Sequence, residues 1–251
     1  MYQTVRGLTI RSVDYKEADK ILTVLTDCRG CLTVKVRGVR RKGSRLKAAA
    51  QLFTFSQMTL YEQNGRCTLH EAEILQQFPG LQTDLTALSL ASYIAEVLST
   101  EAEDAPGSPD IQRLALNCLY VLSNGLSTPA VIKAAFELRY MALAGYEPDL
   151  TACAVCGTPH PVQPVAMLEA GTVRCRGCSV AGAGGKQLPL SITALEAARY
   201  ILSCDLKKLF SFQLPEDELR RLGSFSEAYL LACMERSFRT LDFYKSVGEE
   251  P

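Results

Sequence analysis

The hydrophobic pattern of this chain changes period once, and that change limits its architecture more than any other feature. Up to Pro79-Gly80, apolar residues fall in short runs rich in β-branched and aromatic side chains. Beyond that point they recur at helical spacing. The runs 5–13, 21–26, 32–36, 52–61 and 67–75 read as strands, separated by Cys28-Arg29-Gly30, by residues 38–44 and by Asn64-Gly65. Asn64-Gly65 between two strand-like runs predicts a hairpin, because both residues tolerate positive φ. Five short strands in so small a unit suggest a closed or partly closed barrel, of which the OB-fold is the commonest. In the third run Leu32, Val34 and Val36 share one face, which predicts core, while Thr33, Lys35 and Arg37 share the other.

After the change, residues 85–98 and 111–123 read as helices, with a polar linker at 101–110 between them. Thr128-Pro129 predicts a third start, a hydroxyl cap followed by a proline suited to the first turn, with Gly145 as its stop. Thr193 with Glu196 reads as a capping box, and Glu216, Asp217 and Glu218 after Pro215 suit the positive end of a last helix whose apolar stripe runs to Phe238. The expected class is α+β and multidomain: an OB-fold barrel at 1–80, a helical domain at 81–150 and 186–251, and an inserted cysteine-rich module at 151–185. No apolar run reaches the roughly 18 residues that a membrane helix needs. The first ten residues lack the order of a secretion signal, so the expected compartment is the cytoplasm, with no membrane partner.

A net charge of zero conceals a split. Residues 1–80 hold 13 Lys and Arg against 7 Asp and Glu. Between Asp27 and Glu62 there is no acid, yet Arg29, Lys35, Arg37, Arg40, Arg41, Lys42, Arg45 and Lys47 all lie in that gap. Solvated surfaces usually mix both signs, so the stretch reads as a polyanion site. With Gly38 and Gly43 at its ends the segment also reads as a mobile loop. Its outline, Gly38-Val-Arg-Arg-Lys-Gly43-Ser44, is not a nucleotide-phosphate loop, because Ser44 stands where a lysine is needed and a strand rather than a helix follows. Tyr2, Tyr15, Phe53, Phe55 and Tyr61 are candidates for stacking on bases, the alternating Phe53 and Phe55 fitting barrel core better.

Cys153-Ala-Val-Cys156 and Cys175-Arg-Gly-Cys178, 18 residues apart, are two thiolate knuckles able to close a tetrahedron on Zn²⁺. Four thiolates leave no open position for water, so such a zinc is structural, one per chain, rather than catalytic. His160 lies inside the module as a less favoured ligand. Cys28-Arg-Gly-Cys31 sits in a turn between strands and reads as incidental spacing. With two histidines in the chain and no nucleophile or metalloprotease motif, no catalytic set is in sight, and Asp14, Glu17 and Asp19 read as a solvated turn.

Taken in order, several segments resemble the RecO family of recombination mediators. They are Gly7-Leu-Thr-Ile-Arg11, Asp14-Tyr-Lys-Glu-Ala-Asp19-Lys-Ile, Lys35 through Gly38-Val-Arg-Arg41 to Ser44-Arg45, Leu60-Tyr61 and Glu71-Ala72-Glu73. Phe136-Glu-Leu-Arg139, Gly145-Tyr146-Glu-Pro148 and Cys153-Ala-Val-Cys156-Gly157 continue the series. Cys28 and Cys31 depart from the pattern. The resemblance implies an OB-fold, a helical C-terminal domain and, in some members, a four-cysteine zinc module. It implies a non-enzymatic protein of the bacterial cytoplasm, working at the nucleoid. Such a protein binds single- and double-stranded DNA, anneals complementary strands and helps RecA load onto DNA coated by single-strand-binding protein (SSB). Its partners would be RecR and the C-terminal tail of SSB. Arg11, Lys35, Arg37, Arg40, Arg41, Lys42, Arg45 and Lys47 are then the expected DNA contacts. The competing expectation is a scaffold that binds proteins and not DNA, with the same structural zinc. A weaker one is a thiol redox enzyme using Cys28 and Cys31.

Overall fold

The structure is a computed structural model and describes residues 1–100, 107–179 and 185–248. The chain forms two compact units, residues 1–124 with 238–251, and residues 125–237. In the first, β1 (Tyr2–Tyr15), β2 (Asp19–Thr26), β3 (Cys31–Val36), β4 (Phe55–Gln63) and β5 (Arg66–Gln76) close into an OB-fold-like barrel of order β1-β2-β3-β5-β4. Closure needs two seams: the antiparallel β1–β4 ladder from Tyr2↔Tyr61 to Leu8↔Phe55, and a short parallel contact of Val34↔Cys67 and Lys35↔Thr68. Leu32, Val34 and Val36 are buried as their alternation requires, packed with Leu22, Val24, Met58 and Leu60. Asn64 and Gly65 have φ of 51° and 69°, the positive pair that a two-residue hairpin of native twist demands.

The fourth strand starts later than its composition suggests. Phe53 adopts φ 58° and turns its ring into the core, so the ladder resumes only at Phe55. Two bonds fix this kink: Phe53 N–H donates to the Thr9 carbonyl (2.8 Å), and Thr9 N–H donates to the Thr54 carbonyl (3.0 Å).

Two helices complete most of this unit. Asp84 caps α1 (Leu85–Leu98) by accepting from Ala87 N–H, and Ser108 caps α2 (Pro109–Ser123) by accepting from Ile111 N–H. Of the linker read between them, residues 101–106 lie outside the described ones. The buried amide of Gln112 ties α2 to the barrel by donating to the Arg6 and Leu25 carbonyls at 2.9 and 3.0 Å.

In the second unit α3 (Pro129–Leu143) starts on the Thr128 hydroxyl and stops before Gly145, whose φ is 88°. The region at 151–185, featureless in period, folds with its flanks into a four-stranded sheet. It comprises β6 (Asp149–Cys153), β7 (Pro164–Met167), β8 (Thr172–Cys175) and β9 (Gln187–Pro189), in the order β6-β8-β7-β9. Next come α4 (Ile192–Ser203) and α5 (Glu216–Met234). The cap of α4 is Ser191, which accepts from Ala194 N–H, and not Thr193; Glu196 pairs with Arg199 instead of closing a capping box.

A buried ionic network joins α3 to α5. Lys133 Nζ lies 2.8 Å from Glu137 and 2.9 Å from Glu227, while the Ser226 hydroxyl donates to Glu137 at 2.6 Å. The stripe expected to run to Phe238 breaks at Glu235, whose φ of 50° ends α5. Phe238 instead opens α6 (Arg239–Gly248) in the first unit, where it lies edge-on to Tyr93 at 5.8 Å. Among the described residues no helix is long and apolar enough to cross a membrane.

Candidate nucleic-acid interface and thiolate cluster

Partners across a β-ladder share a face, so the strand registers define an outward row running around the barrel: Tyr2, Tyr61, Thr68, Lys35, Ile21 and Val13. Residues two places along each strand flank that row. On one side or the other stand Arg11, Thr23 and Thr33, with Arg37, Arg66 and His70. Much of this surface forms an open groove of about 1190 Å³. Its wall carries Lys35, Arg37 and Arg66, the rings of Tyr2, Tyr15, Tyr61 and His70, and, among the described residues, no carboxylate side chain.

From the end of β3 the cationic segment continues as a succession of hydrogen-bonded turns rather than the mobile loop its glycines suggest. Arg41 N–H donates to the Gly38 carbonyl, Ser44 N–H to Arg41 and Lys47 N–H to Ser44. Val39 and Ala50 are buried in the barrel core and Leu46 packs against it. Three hydroxyls fasten the far end: Thr54, Thr9 and Ser12 donate in turn to the carbonyls of Ala48, Ala49 and Ala50, at 3.3, 3.4 and 3.0 Å. Turns leave such carbonyls without ladder partners, and these hydroxyls satisfy them.

The acid-free gap in the sequence is not acid-free in space. Asp19, read as part of a solvated turn, accepts from Gly38 N–H at 2.9 Å and pairs with Lys35 at 3.1 Å. The Gly38 amide first, then Lys35, hold its carboxyl below the usual carboxylate range. Asp14 approaches Arg40 at 3.4 Å and Lys20 at 3.7 Å. Antiparallel pairing brings these acids from the β1–β2 hairpin, a proximity that linear spacing cannot reveal. Arg11, Arg37, Arg41, Lys42, Arg45 and Lys47 are exposed, and none makes an ion pair among the described residues.

The aromatic candidates separate. Phe53 is core and Phe55 half-buried, whereas Tyr2, Tyr15 and Tyr61 are exposed. Lys35 and Lys16 sit over the Tyr15 ring, with Nζ 5.1 and 5.6 Å from its centroid. Arg66 and His70 went unnoticed in the sequence; the only signal for them was the period-two alternation of β5 beside Asn64-Gly65.

In the second unit the sulfurs of Cys153, Cys156, Cys175 and Cys178 all lie within 4.8 Å of one another. Cys156 and Cys175 are 3.8 Å apart, the edge of a tetrahedron with metal–sulfur bonds of about 2.3 Å. Each knuckle is a tight turn. Gly157 N–H donates to the Cys153 carbonyl and Ser179 N–H to that of Cys175, while Cys175 N–H donates to Cys153 Sγ at 3.3 Å. Burial raises the Cys153 thiol, but the amides of Cys156, Cys175 and Val155 outweigh it and bring it to about 6. Cys178 is pushed up to about 12, chiefly by its hydrogen bond with Cys156 and then by burial. Four thiolates this close need a cation among them, so the donor set fits a metal ion such as zinc. His160 is not part of the cluster. Arg199 of α4 fastens the module, its guanidinium donating to the carbonyls of Leu150, Thr151 and Pro159 at 2.7, 2.9 and 2.8 Å.

Neither Cys28 nor Cys31 is in a disulfide; Cys28 is exposed, and buried Cys31 donates from Sγ to the Leu98 carbonyl at 3.4 Å. Burial, and then Asp27, push the Cys28 thiol up, away from a reactive thiolate.

Two family models divide the chain between them: Recombination protein O N terminal matches residues 1–78, and Recombination protein O C terminal matches residues 82–242. The chain belongs to the RecO family. It is 30% identical over 248 residues to the DNA repair protein RecO of Acetivibrio thermocellus, covering 98% of this chain and 97% of that one. Identity to the RecO of Desulforudis audaxviator is 32% over 248 residues, with the same two coverages. To that of Halalkalibacterium halodurans it is 29% over 251 residues, covering 99% and 97%. RecO membership makes this a non-catalytic protein of DNA repair and recombination.

Proposed function

We propose that this RecO-family chain binds single- and double-stranded DNA, anneals complementary strands and, with RecR, assists RecA loading onto SSB-coated DNA. The C-terminal tail of SSB and RecR are its protein partners in that reading. One observation carries it above all: Arg37, Arg41, Lys42, Arg45 and Lys47 stand exposed on turns fastened to the barrel, and make no ion pair among the described residues. Arg11 and the partly neutralised Lys35 and Arg40 border them and complete the contact set.

The mechanism is electrostatic. Phosphates replace the counterions of these side chains, and the released ions drive binding. Two strands held against one cationic surface repel each other less, so complementary bases meet without any input of chemical energy. In the same reading Cys153, Cys156, Cys175 and Cys178 hold one Zn²⁺, which staples the two knuckles of the module to each other. Filter binding with synthetic oligonucleotides tests the proposal. Retention of single strands and duplex, abolished by reversing Arg41, Lys42 and Arg45 to Glu, is the expected result. No retention by the wild-type chain at low salt would leave the scaffold reading in its place.

A further inference from the structure

We infer that the far end of the barrel groove is a base-stacking subsite selective for single-stranded nucleic acid, built from Tyr2, Tyr61 and His70. It lies apart from the turns that grip phosphates. This rests on the DNA-binding reading above and deepens it, by separating the residues that meet a lone strand from those that serve strand and duplex alike.

Tyr2 and Tyr61 are register partners on the outer face, and their ring centroids are 5.1 Å apart; His70 lies 5.2 Å from Tyr2. The rings meet at 53° and 61°, so they do not cover one another face to face. Tyr2 is 57% exposed and Tyr61 37%. As a cross-strand pair the two tyrosines help to stabilise the seam, and the flat π-face each leaves open to solvent suits a nucleobase. Tyr15 is a weaker platform, since two lysines already lie over its ring.

Charge complements the rings. Lys35 is two register steps from Tyr61, through Thr68, or roughly 10 Å at the usual strand spacing. Arg37 and Arg66 share that wall, which carries no carboxylate side chain among the described residues, although Asp19 pairs with Lys35 at 3.1 Å. A strand whose phosphates follow Arg66, Lys35 and Arg37 can turn its bases onto Tyr2 and Tyr61. A duplex cannot, because its bases are already stacked and paired, so it offers a protein its phosphate rails and base edges but no free base face. Stacking ignores base identity, so the subsite is tolerant of sequence.

The test uses the full chain, fluorescence anisotropy, a labelled oligodeoxythymidine and a labelled hairpin duplex. Tyr2→Ala with Tyr61→Ala is expected to weaken the oligodeoxythymidine roughly 5- to 150-fold per stacked base and to leave the duplex within twofold. Tyr2→Phe with Tyr61→Phe keeps both affinities, because the ring and not the hydroxyl does the stacking. Unchanged single-strand affinity in the alanine variant, or equal losses on both ligands, overturns the inference. Failure of the wild type to bind either ligand sinks the parent reading, a different result. Independently of any variant, photocrosslinking of iodouracil-substituted single strands should join Tyr2, Tyr61 or His70 to DNA. Adducts only within residues 37–47 would refute it.

Discussion

The salt dependence of duplex binding can be worked from the structure. Five cations of the turn segment, Arg37, Arg41, Lys42, Arg45 and Lys47, are exposed and make no ion pair among the described residues, while Lys35 and Arg40 are held by Asp19 and Asp14. If each of the five replaces one counterion, log K falls against log salt with a slope of about −4.5. Raising salt from 50 to 200 mM then costs about 500-fold in affinity. Reversing Arg41, Lys42 and Arg45 to Glu leaves two of these five and, from them, a slope of about −1.8. Extrapolating both lines to a common value near 1 M salt gives a loss of roughly 3,000-fold at 50 mM. The three side chains are exposed and bond to nothing through their charged ends among the described residues, so the thermal midpoint should stay put. Anisotropy titrations at four or five salt concentrations supply both slopes. A wild-type slope shallower than about −2, or a triple variant that keeps the wild-type slope, would show that the segment does not meet phosphate.

Three further outcomes are expected. Asp14→Asn releases Arg40 and Lys20, so duplex affinity should rise a few-fold and the slope steepen by about one contact; weaker binding would contradict the pairing seen at 3.4 and 3.7 Å. Purified chain should carry one equivalent of zinc by elemental analysis, and Cys178→Ser or strong chelation should remove it and lower the melting midpoint; a full-length chain that loses no stability on chelation would end the staple argument. Lys133→Met leaves Glu137, fully buried, facing Glu227 without its ammonium, and should cost about 3–5 kcal/mol in urea unfolding. Burial pulls Lys133 down, but Glu137 and Glu227 outweigh it and hold it above the ordinary lysine range. Its contribution is therefore complete below the unfolded value and fades as pH rises through the folded one, so the variant's deficit should shrink only in strong alkali.

The barrel was legible because its code is local. Leu32, Val34 and Val36 alternate with Thr33, Lys35 and Arg37, and Asn64-Gly65 names its own turn. The knuckles were legible for the same reason: two residues separate the cysteines of each pair, and the parallel pairing of β6 with β8 brings the second pair to the first. Whatever depends on partners distant in sequence was hidden. Neither Asp14 nor Asp19 betrays that a hairpin will lay it against Arg40 or Lys35. Arg199 offers no hint that it will gather three carbonyls from the cysteine module. Phe238 fits the stripe of α5 by spacing alone, yet the left-handed turn at Glu235 sends it to Tyr93. The Tyr2–Tyr61 pair needed the closing seam of the barrel, a contact between the two ends of a sheet.

The hydroxyls of Thr9, Ser12 and Thr54 also bear on how quickly a complex can form. By pinning the carbonyls of Ala48 to Ala50 they settle the backbone beneath Arg41, Lys42 and Arg45 during folding. On the proposed reading, a polyanion arriving by diffusion then meets a cationic relief already cast, and little further ordering of main chain is left for the encounter. Capture becomes a matter of collision and charge, so association should run near its steered limit at low ionic strength, while dissociation reports how many phosphates happened to land.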